Sequence, residues 1–182
     1  MKPGDLPDQS IGAADAKVTC VEYASMTCGH CAAFHTKVFP TLKTKYVDTG
    51  KVRFILREFP LDDLASAGSM LSRCAGSGDA AKSFDMTAIL FERQEEWAFQ
   101  RTGNPVPKLF EIAKQAGFTQ DSFDKCLRDD KLLERIVAVR ERGSSKFGVS
   151  ATPTFFINGK RLDERPTVEA FDKVFESLLK AS

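Results

Sequence analysis

Two cysteines, Cys28 and Cys31, stand two residues apart in the stretch "VEYASMTCGHCAAFH", after an apolar run and before a helical-looking one. Three chemistries use this spacing: half of a zinc site, a static bridge, and a disulfide that opens and closes. A structural zinc takes four ligands, often a second Cys-x-x-Cys or a pair of histidines. The chain has no second Cys-x-x-Cys, and His30 and His35 are its only histidines. No metal is expected. Redox work needs a thiol that ionises easily. Cys28 falls where strand gives way to helix, and the free N–H groups and dipole of a first helical turn stabilise a thiolate. His30, if charged or donating, favours the same anion. A low thiol pKa supplies nucleophile at neutral pH and makes Cys28 a good leaving group. Cys31, one turn further in, can close a small ring with it.

Glu22 lies six residues before Cys28, inside the apolar run. An unpaired buried carboxylate is costly and tends to protonate. Two readings stand for it: a carboxyl that takes the proton of Cys31, or a partner of a Lys or Arg at the sheet edge. A third motif is "GVSATPTFFING". Pro153 opens a strand, where proline is tolerated, and the Thr152–Pro153 bond can be cis.

These residues need elements to hold them. Residues 16–24 are rich in β-branched and aromatic types and read as a strand buried on both faces. Residues 31–46 read as a helix kinked or broken at Pro40, and residues 51–59 as a second strand, parallel to the first. From 60 to 143 the apolar spacing is helical throughout, with Thr119 and Ser122 where a cap and first turn belong. Strands return at 152–159, which end in the hairpin signal Asn158-Gly159, and at 160–164. A final amphipathic helix covers 167–181, capped by Thr167. Sheet pieces at both ends of the chain most simply form one sheet, giving an α/β fold. Residues 1–15 are polar and loop-like, without the apolar centre of a secretory signal, and no apolar run is long enough to span a membrane. A net charge of +1 over 182 residues gives no steering toward phosphate, so no nucleic-acid partner is expected.

The Cys-x-x-Cys after a strand, the acid six residues earlier, the distant "TPTFF" strand and the last helix together resemble the thioredoxin superfamily. The long helical insertion is similar to that of its DsbA family of thiol:disulfide oxidoreductases. The resemblance implies a thioredoxin-like domain at 16–59 and 144–182, an all-helical insertion at 60–143 and an N-terminal extension at 1–15. It implies a periplasmic enzyme that donates the Cys28–Cys31 disulfide to reduced, unfolded exported proteins through a mixed disulfide at Cys28. A DsbB-type membrane partner would reoxidise it, and no cofactor beyond the disulfide is implied. Position by position, Cys28 matches the nucleophile, Cys31 its buried partner, His30 the histidine between them and Glu22 the buried acid. Thr152 and Pro153 match the residues that face the disulfide and bind substrate. Only about fifteen residues precede the first strand, so dimerisation through an N-terminal domain, as in known isomerases, is not expected, and the chain reads as a monomer.

Two departures keep alternatives open. The dipeptide is Gly29-His30 rather than Pro-His, which resembles protein disulfide isomerase and suggests a milder oxidant. Thr152 stands where the best-known family members have Val, again resembling the isomerase branch. A reductase or isomerase is the alternative within redox chemistry. A polypeptide-binding chaperone with a static bridge is the alternative outside it.

Three cysteines remain. Cys126 shares a helical stripe with Phe123 and Leu127 and would serve as a small buried apolar residue. In an exported protein, however, Cys74 and Cys126 are expected to bond, closing a loop of about fifty residues. Cys20 is then a free buried thiol. Phe91, Trp97 and Phe99 read as core or interface aromatics, and "RERGSSK" at 140–146 as a solvated helix end and linker.

Overall fold

In the computed structural model, which describes residues 1–100 and 103–181, β2 (Val18–Ala24) and β3 (Val52–Glu58) run parallel at the centre of a five-stranded sheet. Arg101, Thr102 and Ser182, which fall within ranges expected above, lie outside the described residues. Six of the seven residues in each central strand are buried, which is why both read as nearly continuous apolar runs. The crossover between them is α1 (Gly29–Lys37), α2 (Phe39–Leu42) and a π-helical turn at Lys43–Val47. The single helix expected over 31–46 is thus broken. Pro40 sits in the first turn of α2, where its missing N–H has no helical acceptor to lose.

The strand β4 (Thr154–Ile157) lies antiparallel to β2, with Cys20 opposite Ile157 and Glu22 opposite Phe155. It starts two residues later than expected, after Pro153. The return strand β5 is shorter than expected, Lys160–Arg161 only. Asn158 and Gly159 between them both have positive φ, 46° and 83°, as a tight hairpin turn requires.

The N-terminal segment is more than a loop. β1 (Gln9–Ile11) pairs antiparallel with β3 and gives the sheet order β1-β3-β2-β4-β5. Its polar character has a physical reason. β3 buries Arg57 and Glu58, 3% and 2% exposed. Arg57 Nε donates to Asp8 Oδ1 at 2.8 Å, and Gln9 Nε2 donates to Glu58 Oε1 at 2.7 Å. The residues that looked solvated are the partners of buried charges.

Between β3 and β4 run α3 (Asp63–Gly76), α4 (Ala80–Glu92), α5 (Gln94–Trp97), α6 (Val106–Gln115), α7 (Gln120–Leu127) and α8 (Asp130–Phe147). Thr119 and Ser122 form a reciprocal capping box on α7. Trp97 is fully buried and donates through Nε1 to the Leu90 carbonyl at 2.9 Å; Phe91 is buried too, whereas Phe99 is 46% exposed. The linker expected at 140–146 is helix. Gly143 allows α8 to press against the sheet, because a Cβ there would lie 2.7 Å from Tyr23 Cε1. Gly148, with φ of 67°, ends the helix. Cys74 on α3 and Cys126 on α7 are bonded, with Cα atoms 6.2 Å apart. The last helix, α9 (Val168–Lys180), is capped by Thr167. Its Phe171 packs with Phe155 against Phe34 of α1, building the core on the sheet face that carries Cys20 and Glu22.

Candidate active site

Cys28 is the N-cap of α1. Its backbone is extended, and its sulfur accepts from the Cys31 N–H at 3.2 Å. Both Cys28 and Cys31 are thiols in this structure. The Cys28 thiol is held down to about 6. The hydrogen bond from the Cys31 thiol lowers it most; burial opposes this, and Thr152 and the backbone N–H groups of Cys31 and His30 lower it further. Cys31 is driven the other way. Burial pushes its thiol well above the ordinary value, and the hydrogen bond to Cys28 and the Glu22 charge add to the rise. One sulfur is thus prepared to be an anion and the other to keep its proton.

His30 is exposed, and it acts on Cys28 through its backbone N–H rather than through its ring. The imidazole stabilisation expected from sequence is replaced by a helix-terminus contribution. Thr152 and Pro153 come to the site from 124 residues away, joined by a cis peptide. As a thiol, Cys28 donates to the Thr152 carbonyl at 3.3 Å. A thiolate can only accept, and the Cys31 N–H, 3.2 Å away, donates to it; the Thr152 Oγ1 is buried without a partner.

Glu22 is fully buried beneath the helix. Its Oε2 shares a hydrogen bond with His35 Nε2 at 2.7 Å, so its partner is neither a Lys nor an Arg at the sheet edge. Its Oε1 is buried with no partner. The Glu22 charge is felt by two thiols, Cys31 and Cys20, both of which it raises. Sequence reasoning missed His35, although the signal was present: His35 follows Cys31 by four residues and so shares its helix face. The His35 ring is stacked on Phe91 at 4.6 Å and lies 5.1 Å from Phe39.

A second missed residue is Gln94 of α5. Its Nε2 donates to the carbonyl oxygens of Met26 and Cys28, at 2.8 and 3.1 Å. No sequence signal marks it, because its partners are backbone atoms far away in the chain. The loop before Cys28 is tied to the start of α3 as well. Thr27 Oγ1 donates to Asp62 Oδ2 at 2.7 Å, and the Leu61 N–H donates to Ser25 Oγ at 3.2 Å. The Leu61 side chain, 52% exposed, stands beside that loop. Cys20 is a buried free thiol in β2. Among the described residues no cluster of His, Cys, Asp and Glu could hold a metal ion.

A family model described as "Thioredoxin" matches residues 5–177. The crystal structure of α-DsbA1 from Wolbachia pipientis superposes with a TM-score of 0.90 at 31% identity, covering 98% of this chain and 94% of that one. A Rickettsia bellii protein named "Putative protein-disulfide oxidoreductase" is 33% identical over 175 residues, 94% of this chain and 66% of its own length. Across five such Rickettsia relatives the chain spans 54% to 66% of their length. BdbD from Bacillus subtilis shares the fold, with a TM-score of 0.84 at 21% identity over 98% of this chain and 96% of that one.

Proposed function

Because this chain belongs to the DsbA family of the thioredoxin superfamily, we propose that it is a thiol:disulfide oxidoreductase that donates the Cys28–Cys31 disulfide to exported proteins. The observation that carries this reading is the opposed preparation of the two sulfurs, Cys28 held down to about 6 and Cys31 pushed up by burial. A substrate thiolate attacks Cys28 Sγ in the oxidised enzyme, the Cys28–Cys31 bond breaks, and Cys31 leaves and takes a proton. The second substrate thiolate then attacks the substrate sulfur of the mixed disulfide. A substrate disulfide forms and Cys28 departs as thiolate. The substrate loses two electrons and two protons; the enzyme keeps both electrons and one proton, and the other proton goes to solvent. The Cys28–Cys31 pair serves as the redox centre. Glu22 exchanges the proton of Cys31, and the Thr152–Pro153 segment lies where an extended substrate could pair with backbone.

The thiolate supports an oxidising direction. With a thiol pKa of about 6, stabilisation of the anion at pH 7 is about 1.4 kcal/mol, equivalent to about 30 mV of oxidising power. That is a mild oxidant. A value of about 6 is closer to the reducing thioredoxin thiol, about 7, than to the strongest oxidants of this superfamily, about 3.5. This observation favours isomerase or reductase work as the second reading. The Cys74–Cys126 bond fits an oxidising compartment such as the periplasm. Reoxidation by a DsbB-type membrane partner and action as a monomer rest on family membership.

The test is the refolding of reduced ribonuclease by substoichiometric protein in a glutathione buffer, with the potential measured in the same buffer. Turnover that disappears in Cys28→Ser supports the reading. Turnover that survives that substitution would overturn it, and a potential as negative as that of thioredoxin would move the chain to the reductase reading.

A further inference from the structure

His35 has no part in the mechanism above, yet its ring nitrogen meets the buried acid. Its Nε2 lies 2.7 Å from Glu22 Oε2, while Glu22 Oε1 is buried and unpartnered. The ring is held by Phe91 of α4 and Phe39 of α2, both apolar, and by the Phe34 edge at 5.3 Å. Among the described residues, the titratable groups that interact with Glu22 are His35, Cys31 and Cys20. An ionised carboxylate only accepts, so His35 Nε2 carries the hydrogen whenever Glu22 is charged. One carboxylate oxygen is fixed, and the other is buried without a partner in a carboxylate whose charge Cys31 feels.

We propose that His35 is a positioning residue for proton exchange at Cys31: by holding Glu22 Oε2 it keeps Oε1 as the atom that takes and returns the Cys31 proton. The proposal rests on the oxidoreductase reading. In the reoxidation direction the reduced protein meets a low-molecular-weight disulfide. Cys28 thiolate attacks it, forming a mixed disulfide and releasing one thiolate. Cys31 S–H then passes its proton to Glu22 Oε1 and attacks Cys28 Sγ, and the mixed disulfide breaks. The second small thiolate leaves and takes a proton from solvent. The protein has lost two electrons and the small disulfide has gained them. Only the second step uses Glu22, so only that step should depend on His35. The stack of Phe91 on the ring adds that α4, outside the strand–helix–strand unit, takes part in the aim of the carboxyl.

The experiment uses the full chain and oxidised glutathione as the probe, with acid quench and mass spectrometry to separate formation of the mixed disulfide from its resolution across pH. We expect His35→Leu to leave formation within about twofold and to slow resolution about tenfold, because a misaimed base loses proton transfer but not nucleophile. Glu22→Gln should slow resolution at least as much, and the double variant no more than Glu22→Gln alone. His35→Gln keeps an N–H donor and should restore resolution to within about threefold of the parent. Wild-type resolution in His35→Leu, additive losses in the double variant, or a His35→Gln protein as slow as His35→Leu would each overturn the proposal. If His35→Leu does not fold, the His35→Gln comparison decides alone: parent-like resolution supports the role, and a tenfold loss overturns it. Failure of the oxidoreductase reading is distinguishable, since the parent protein would then form no mixed disulfide at all.

Discussion

Gln94 Nε2 lies 3.1 Å from the carbonyl oxygen of Cys28, so a residue from the run of helices between β3 and β4 holds the backbone of the redox cysteine. The same amide group donates to the Met26 carbonyl. Both acceptors are buried; the Met26 carbonyl would cost about 1–3 kcal/mol if left unsatisfied, while the Cys28 carbonyl also accepts from the Ala32 N–H. Gln94→Ala is therefore expected to lower stability by about 2 kcal/mol and to raise the Cys28 pKa, because the cap geometry that aims the Cys31 N–H at sulfur is loosened. Urea midpoints and thiolate absorbance against pH read both effects; a variant unchanged in both would show that Gln94 is incidental.

Cys31→Ser should accumulate mixed disulfides with substrate proteins that carry disulfides: the Cys28 thiolate attacks one substrate sulfur, the other leaves as thiolate, and the buried resolving thiol is gone. Cys28→Ser should accumulate none, because Cys31 is fully buried and its thiol is pushed up by burial. Non-reducing gels after mixing with disulfide-scrambled ribonuclease give the answer. Equal trapping by the two variants would reverse the assignment of attacking and resolving sulfur.

The reduced protein should show one thiol titrating at about 6 by thiolate absorbance, and Cys28→Ser should abolish it. The sign for stability follows. The folded pKa is depressed, so the contribution grows as pH rises from about 6 toward the ordinary thiol range and is lost as pH falls through 6. Denaturant midpoints of the reduced form, measured relative to Cys28→Ser, should diverge above pH 6 and converge below it. Divergence on the acid side instead would contradict the thiolate account.

Replacing Cys74 and Cys126 together by Ser should cost about 2–4 kcal/mol, because the bond joins residues 52 apart and restrains the unfolded chain. The parent in reductant should approach the same midpoint. A double variant as stable as the parent would mean that packing of α3 on α7 alone holds that corner.

Gly143→Ala should destabilise by about 1–3 kcal/mol, as its methyl would overlap the Tyr23 ring in a packed interior. A smaller reversal in Gly143→Ala combined with Tyr23→Leu would identify the ring as the cause. Loss of equal size in both backgrounds would point instead to the backbone.

What the sequence disclosed depended on how far each signal had to reach. The pair Cys28–Cys31, the acid at Glu22 and the strands around them were legible because strand periodicity and helix starts are local. So was the Asn158-Gly159 turn, whose positive φ values only certain residues accept. The N-terminal strand was hidden, because its polar residues are explained only by Arg57 and Glu58, nearly fifty positions later. The end of α8 was misplaced because Gly143 reads as a helix stop until Tyr23 is seen against it. His30 was given its imidazole's role when its backbone N–H performs it. Gln94 bonds to carbonyls, which every residue has, and so left no trace.

The contact between Cys28 and Thr152 also sets a clock on synthesis. The two residues are separated by 124 positions. At about 5–20 residues per second, a nascent chain carries Cys28 for roughly 6–25 s before Thr152 exists. During that interval β4 is missing as well, so Cys20 and Glu22 lack the strand that covers them. The redox pair is therefore made early, just after Glu22, and is among the last parts of the site to be completed. Until β4 docks, the Cys28 sulfur lacks the Thr152 contact, so the local help from Cys31 and the start of α1 is completed only when the C-terminal part of the chain arrives.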